Sequence, residues 1–352
     1  MNAPFALSRE TIRLADLRQP DEVMRIEGFV AEMEGSPFHR PAWLRAIEAG
    51  TGQRACALLA EKGGAIVGWL PLNEIHSPIF GRMLASSGFA VEGGVIGEGA
   101  PAEALCRAAE ELAQRRSCTA IELRGGPAPA DWIVRADSHL DFRTPLASDD
   151  EAQLLAIPRK QRAEVRKGLE QDLTIDIGRD EPDRAAHYAV YAESVRNLGT
   201  PVFPRSLFDA ALDALDGDIL TVRHHGRPVA SVLSFYHEGA VMPYWGGGVW
   251  DARRLRANDR MYYELLLHAR RDKGCASADF GRSKTGSGAA AFKKNWGFEG
   301  RPFTYSAWTA PGCVPRDADP TSAKHSARIA LWKRLPLVIA NRLGPPIARG
   351  LG

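Results

Sequence analysis

The sequence predicts an α/β (α+β) protein built from two similar units, and three observations support that prediction. Its 352 residues exceed what a single hydrophobic core typically organises. Hydrophobic residues make up 45% and charged residues 25% of the chain, as in ordinary globular proteins. One order of apolar runs, turns and helical periodicity occurs twice. We therefore expect two tandem domains, each with its own core.

The repeat consists of a β-hairpin, a helix and a strand that is opened by a cysteine. An acidic residue lies four places after that cysteine in both halves. A chance likeness is the alternative, since this order of elements is common. The matching segments are residues 57–72 and 220–235 for the hairpins, 102–114 and 261–273 for the helices, and 118–125 and 275–282 for the strands.

The domain boundary is predicted near residues 143–150, and the run 146–151 has the composition of a linker that ends at a helix start. This places a first domain at residues 1–147, a second at 148–318 and a basic tail at 319–352. A helix is predicted over residues 152–169, directly after the boundary.

Composition and charge narrow the functional classes. The net charge of +2 argues against general polyanion binding, so any basic site is local. The five cysteines include no Cys-x-x-Cys pair, which predicts neither a disulfide framework nor a zinc site and is typical of a reducing cytoplasm. Neither a signal peptide nor a transmembrane segment is expected. We therefore expect a cytoplasmic protein without a metal.

A basic helical face is the first candidate site. Arg159, Arg162 and Arg166 fall at i, i+3 and i+7 of the predicted helix and hence on one face. Guanidinium groups bind phosphate bidentately, so this face is a candidate for binding a phosphate-bearing donor. A solvated helix face is the alternative interpretation.

A glycine-rich strand end is the second candidate site. Tyr244 and Trp245 precede three glycines, which would let a ligand approach the backbone closely. Arg253, Arg254 and Asn258 follow at the expected start of a helix, where free N–H groups favour an anion. We assign the aromatic pair to the substrate and the other three residues to the donor. A hairpin loop with an ordinary helix cap is the alternative.

The third candidate site joins a strand end to a helix turn. Asp279 could orient an amine or accept its proton, and Lys293 could stabilise a developing oxyanion. We assign these two residues to catalysis, and Arg282, Ser283 and Phe292 to substrate binding. Capping of the loop by Asp279 is the alternative.

A polar helix end completes the candidates. Tyr191 and Arg196 are assigned to the acceptor substrate, with capping of that helix end as the alternative.

Three stretches carry a resemblance to a known family: residues 157–162, 279–284 and 292–298. They resemble the FemAB-like branch of the GNAT acyltransferases, in particular the FemAB-family proteins associated with PEP-CTERM and exopolysaccharide gene clusters. The resemblance implies tandem GNAT-like domains, each with a mixed, mainly antiparallel sheet flanked by helices. It also implies metal-free transfer of an acyl or aminoacyl group to an amine of a saccharide or peptide precursor. The family's Phe-Lys-x-x-Phe-Gly motif assigns assistance in the transfer step to Lys293.

Two family features are missing from this sequence. Some Fem transferases carry a long charged coiled-coil arm, and its absence makes tRNA the less favoured partner. The glycine pattern of the usual acetyl-CoA loop is absent at residues 253–258. Acyl-CoA, acyl carrier protein and aminoacyl-tRNA therefore remain alternative donors, with no tightly bound cofactor expected. A non-catalytic module that binds a phosphate-bearing glycan is the alternative function.

The tail is basic and amphipathic. Residues 324–352 contain six Lys or Arg residues and no acidic residue, and Ile329, Trp332 and Leu335 fall on one helical face that Pro336 ends. Such a segment could contact an anionic membrane peripherally. Packing on the protein's own surface is the alternative.

Overall fold

The computed structural model describes residues 10–314 and 326–352 and divides the chain into two compact units. Unit 1 comprises Met1–Ala136, Thr304–Ala318 and Gly350–Gly352, and unit 2 comprises Asp137–Phe303 and Asp319–Arg349. The predicted boundary at residue 147 therefore lies inside unit 2. Residues 1–9, at which no signal peptide is expected, and residues 319–325, the first of the tail, lie outside the described residues.

Unit 1 is a mainly antiparallel sheet flanked by helices. The strand order is β1-β2-β3-β4-β5, in which only β4 and β5 run parallel. Its elements are β1 (Thr11–Leu14), α1 (Pro20–Glu32), a 3-10 helix (Pro37–His39), α2 (Pro41–Thr51), β2 (Arg54–Lys62), β3 (Ala65–Ser77), β4 (Gly81–Ser86), α3 (Ala100–Arg115) and β5 (Ala120–Arg124).

Unit 2 repeats this plan with more helices. The strand order is β6-β11-β10-β9-β8-β7, and only β10 and β11 run parallel. Its elements are β6 (Ile133–Pro145, from Asp137 on), α4 (Asp150–Ala156), α5 (Arg159–Leu169), β7 (Leu173–Gly178), α6 (Glu181–Leu198), α7 (Arg205–Ala214), β8 (Gly217–His224), β9 (Arg227–His237), β10 (Ala240–Gly248), α8 (Ala252–Leu255), α9 (Ala257–Arg271), β11 (Ser277–Lys284), α10 (Gly288–Asn295), α11 (Ser326–Arg334) and α12 (Leu337–Ala348). Strand β12 (Gly300–Thr309) continues from Thr304 as part of unit 1, where it pairs antiparallel with β5 and extends the sheet of that unit.

The predicted repeat is confirmed. Each unit has an antiparallel hairpin, a third antiparallel strand, a helix and a strand parallel to the third: β2-β3-β4-α3-β5 in unit 1 and β8-β9-β10-α9-β11 in unit 2. The two cysteines, Cys118 and Cys275, are buried just before the parallel strand. Alternating apolar residues and glycine turns predicted these hairpins because both signals are local in sequence.

Three predicted boundaries differ from the structure. The helix over residues 152–169 is two helices, α4 and α5, because Pro158 disfavours helical backbone at the residue before it. Helix α9 starts at Ala257 because Arg256 adopts a left-handed conformation with φ 54° between α8 and α9. Asn258 therefore lies inside α9 and does not cap it. The predicted boundary region, residues 143–150, overlaps the end of β6, which pairs with β11.

The core of unit 2 lies where α9 crosses β8, β9 and β10. Met261, Leu265 and Leu266 of α9 are buried there with strand residues such as Val232 and Val241. This burial fixes the N-terminus of α9 beside the carboxyl end of β10, which positions the site described below.

The tail helices α11 and α12 pack against α6 of unit 2. A Cβ on Gly199, just after α6, would lie 2.5 Å from Ile329 Cγ2 of α11, and a Cβ on Gly344 of α12 would lie 2.9 Å from the Val202 backbone nitrogen. Helix α11 ends at Arg334, as Pro336 predicted. None of the described helices is long and apolar enough to cross a membrane.

Candidate active site

Strands β10 and β11 run parallel but pair only at their beginnings. Residues 240–241 of β10 are in register with residues 277–278 of β11. Strand β10 then continues to Gly248 with a bulge between Pro243 and Trp245. Its edge toward β11 therefore has no paired strand residue beyond position 241 in the described part of the chain. The last three residues of β10, Gly246, Gly247 and Gly248, present their backbone to the cavity described next.

A cavity of about 430 Å³ opens beside the carboxyl end of β10. Its volume suits a small ligand or the end of a longer one. Four helices or helix ends and the glycine run of β10 contribute its walls. The lining residues are Ser194, Asn197, Leu198, Gly246, Gly247, Gly248, Val249, Trp250, Arg253, Asn258, Tyr262, Gly288, Ala289 and Phe292.

Neighbouring side chains leave no room for a Cβ atom at Gly247 and Gly248 of β10. A Cβ on Gly247 would overlap Ser194 Oγ and lie 2.6 Å from Ser194 Cβ. A Cβ on Gly248 would lie 2.6 Å from Asn258 Oδ1 and 2.7 Å from Ala252 Cβ. The glycines thus let α6 and α9 approach the strand end while the backbone remains exposed to the cavity.

Polar groups at the cavity are few and specific. Asn258 Oδ1 is buried without a hydrogen-bond partner among the described residues. Burial raises the pKa of Tyr262 to about 12, so its phenol stays protonated at neutral pH. The Arg253 guanidinium lies 5.3 Å from the ring centre of Trp250, and both side chains are exposed at the cavity rim. No cluster of three or more potential metal ligands occurs within residues 10–314 and 326–352.

The three donor-binding residues predicted after the glycine run, Arg253, Arg254 and Asn258, differ in their position relative to the cavity. Arg253 and Asn258 line the cavity, whereas Arg254 is exposed and is not among the lining residues. Arg256, between them, donates to Glu164 Oε2 of α5 at 2.6 Å and to the Arg253 carbonyl at 3.2 Å. The loop is therefore held against α5.

The basic face of α5 lies next to this loop but outside the cavity lining. Arg159 and Arg166 are exposed, and Arg162 donates to the Leu155 carbonyl at 3.1 Å. Helix α5 packs on α9 through Gly168, whose Cβ position lies 2.9 Å from the Arg256 carbonyl.

Lys293 and Asp279 hold the bulged part of β11. The Lys293 ammonium donates to the carbonyls of Phe280 at 2.5 Å, Gly281 at 2.9 Å and Arg282 at 3.3 Å. Burial lowers the pKa of Lys293 to about 8. Asp279 accepts from the Gly281 N–H at 2.8 Å and lies 3.0 Å from the Arg143 guanidinium. Neither side chain is among those lining the cavity.

Among the predicted substrate residues, only Phe292 lines the cavity. Ser283 is buried in β11, and Arg282 presents its carbonyl to Lys293. Tyr244 lies on β10 with its ring centre 4.8 Å from that of Trp245.

Trp245, Tyr191 and Arg196 lie in the packing beside the cavity. Trp245 is buried, and its ring centre is 4.6 Å from that of Phe208. Tyr191 stacks on His187 with ring centres 5.9 Å apart. Arg196 donates to the Lys333 carbonyl at 3.3 Å, which ties α6 to the tail.

Several lining residues were not predicted from the sequence. Ser194, Asn197 and Leu198 follow the i, i+3, i+4 spacing of one face of α6, but nothing local marks that face as a ligand wall. In the sequence, Tyr262 of α9 cannot be distinguished from an ordinary core aromatic of a buried helix. An inward-facing polar residue such as Ser194, opposite a glycine run, is the signal that sequence reasoning could have used.

Unit 1 uses the corresponding region differently. After β4, residues 87–97 fold back on the end of β5, where a Cβ on Gly94 would overlap the Gly125 carbonyl. Trp69 and Ile96 exchange backbone hydrogen bonds of 2.8 and 2.9 Å. Unit 1 thus packs its own chain against the end of its parallel strand.

Comparison with known proteins agrees with this geometry. Residues 159–294, which contain the cavity lining, match the family described as acetyltransferase (GNAT) domain. No curated protein matches the sequence.

Solved structures resemble most of the chain at low sequence identity. FemX has 15% identity and a TM-score of 0.61, covering 81% of this chain and 95% of its own. A tandem GNAT protein from the clavulanic acid biosynthesis pathway has 13% identity and a TM-score of 0.57, covering 88% and 100%. The C-terminal domain of a putative lysylphosphatidylglycerol synthetase from Agrobacterium fabrum has 14% identity and a TM-score of 0.54, covering 82% and 91%. Residues 159–294 therefore match the GNAT acetyltransferase domain family, and most of the chain has the tandem GNAT fold of FemX and of the clavulanic acid pathway protein.

Proposed function

We propose that the chain transfers an acyl or aminoacyl group from an activated carrier to an amine of a cell-envelope or exopolysaccharide precursor. The divergence of β10 and β11 supports this most directly. Beyond the paired residues, the glycine run of β10 borders a cavity of about 430 Å³, in the segment that matches the acetyltransferase domain.

A pantetheine thioester is the donor that this slot favours. An extended chain bearing amide groups can hydrogen-bond to a free strand edge in the way a further strand does. Acyl-CoA and acyl carrier protein both present such a chain. Arg253 at the rim and the exposed arginines of α5 supply cations for the donor's phosphates. Aminoacyl-tRNA is the alternative donor.

Tyr262 is the residue best placed to act as a proton donor. The acceptor amine attacks the thioester carbonyl carbon, the carbon–sulfur bond breaks, and the leaving thiolate takes a proton while the amine loses one. The Tyr262 phenol lines the cavity and stays protonated because burial raises its pKa. We assign to it the protonation of the thiolate.

The role of Lys293 is a proposal that rests on the resemblance to the Fem motif. Its three carbonyl contacts support a second interpretation, in which it positions the bulge of β11. Lys293→Ala distinguishes the two: lost product formation with an unchanged melting temperature supports participation in the transfer. Loss of both supports positioning, and intact product formation contradicts the role implied by the motif.

The acceptor is proposed by analogy with the structural relatives. FemX and the putative lysylphosphatidylglycerol synthetase have the same fold, and the latter's name describes a lipid-linked product. An amine on a saccharide or peptide precursor of the envelope is the corresponding acceptor class.

A donor screen tests the proposal. The purified chain is incubated with an amine acceptor and acyl-CoA, acyl carrier protein or aminoacyl-tRNA, and amide product is measured by mass spectrometry. Tyr262→Phe is expected to lower the turnover number about 10²-fold or more with little change in donor affinity. Binding of a phosphate-bearing glycan without turnover of any donor would instead support the non-catalytic module.

A further inference from the structure

The outer side of the tail helices combines exposed apolar and basic residues. Leu331 is 65%, Val338 81% and Leu343 48% exposed. Arg334 and Arg342 are exposed on the same two helices. Residues 326–352 contain no Asp or Glu. We call this surface, made of Leu331, Arg334, Val338, Ile339, Arg342 and Leu343, the basic apolar face.

The inner side of the tail is already used for packing. On α12, Ala340, Gly344 and Ala348 are buried and follow one another at i, i+4 and i+8. At 100° per residue, Val338 and Arg342 fall on the opposite side of that helix. The basic apolar face is therefore exposed even though the other side of α12 packs on the protein.

The tail lies beside the mouth of the cavity. Gly199, which contacts Ile329 of α11, directly follows Leu198 of the cavity lining. Leu198 is 63% and Trp250, on the same rim, 69% exposed. Exposed tryptophan and leucine next to a cationic helix pair are typical of proteins that rest on a lipid headgroup layer.

We propose that the basic apolar face binds the surface of an anionic lipid bilayer. Its cations complement anionic headgroups, and Val338, Leu331 and Leu343 insert among the acyl chains below them. The helices are too short and too polar to span, so the contact is peripheral. This binding goes beyond the acyl transfer proposed above and does not depend on it.

Vesicle cosedimentation with the full chain, without donor or acceptor, tests the proposal. Vesicles of equal parts phosphatidylcholine and phosphatidylglycerol are expected to bind the chain, and vesicles of phosphatidylcholine alone to bind it at least tenfold more weakly. Arg342→Gln is expected to lower the partition coefficient about fivefold, corresponding to about 1 kcal/mol per cation. Val338→Glu is expected to lower it further, since it removes an inserting side chain and adds a repelled charge.

Matched controls come from unit 1. Ile79 is 60% exposed and the Arg115 side chain 77% exposed, so Ile79→Glu and Arg115→Gln make the same changes elsewhere. Both are expected to bind vesicles as the unsubstituted chain does. Melting temperatures of all variants are compared to establish that the tail variants are folded. Absence of binding to anionic vesicles, or equal binding by the tail and control variants, would overturn the proposal.

Discussion

At the scale of single residues, Gly247 controls the width of the cavity. Its backbone lies so close to Ser194 that one added methyl group must displace α6 or enter the ligand space. We expect Gly247→Ala to weaken donor binding at least tenfold, measured by isothermal titration calorimetry with acyl-CoA or acyl carrier protein. Gly28→Ala is the control, because nothing lies within 4 Å of its Cβ position and alanine favours the helix there by about 1 kcal/mol. Unchanged donor binding in Gly247→Ala would contradict the location of the site.

Lys293 provides a prediction of pH dependence. Burial lowers its pKa from 10.5 to about 8 in the folded chain. Between these pH values the unfolded chain retains the proton that the folded chain has lost, so the group's contribution to the free energy of unfolding rises with pH. Relative to Lys293→Met, the unsubstituted chain should gain up to about 3 kcal/mol across this window. Denaturant unfolding at several pH values measures the difference, and a flat difference would show that the lysine titrates normally.

At the scale of elements, the basic face of α5 tests whether the donor carries phosphates. Arg159 and Arg166 are exposed, so replacing both by Gln should change the free energy of unfolding by less than about 1 kcal/mol. Their loss should raise the KM for a phosphate-bearing donor and reduce its dependence on salt. Replacing Arg115 and Arg116 of unit 1 by Gln serves as the control. Equal kinetics in both double variants would identify the α5 face as an ordinary solvated surface.

Elements that depend on local sequence were predictable, and the cavity was not. The hairpins around Gly64 and Gly226 are specified by neighbouring residues, since glycine supplies the positive φ of each turn. The divergence of β10 from β11 depends on the bulge in β10 and on the pairing of β11 with β6. Strand β6 is far from β11 in sequence, so no local pattern predicts that pairing. The sequence therefore pointed to the glycine run and Phe292, which line the cavity, but could not indicate that α6 closes the opposite wall.

At the scale of the whole molecule, the cysteines report on the integrity of the fold. All five are free thiols, and only Cys313 is exposed. Burial raises the pKa of Cys56 and Cys106 to about 12 and of Cys118 to about 11, which keeps these thiols protonated and unreactive. Iodoacetamide at neutral pH should label Cys313 first in the native chain and all five in denaturant, as counted by intact-mass spectrometry. Fast labelling of Cys106 without denaturant would indicate local opening of unit 1.

Gly199 connects two structures that are encoded far apart. It ends α6 with φ 86°, and its missing side chain makes room for Ile329. In genetic terms, almost every missense change in this codon would disturb both the end of α6 and the packing of α11 against it. In a library scored by folding, this position should therefore tolerate glycine alone, whereas the neighbouring, exposed Leu198 should accept many replacements without loss of the fold.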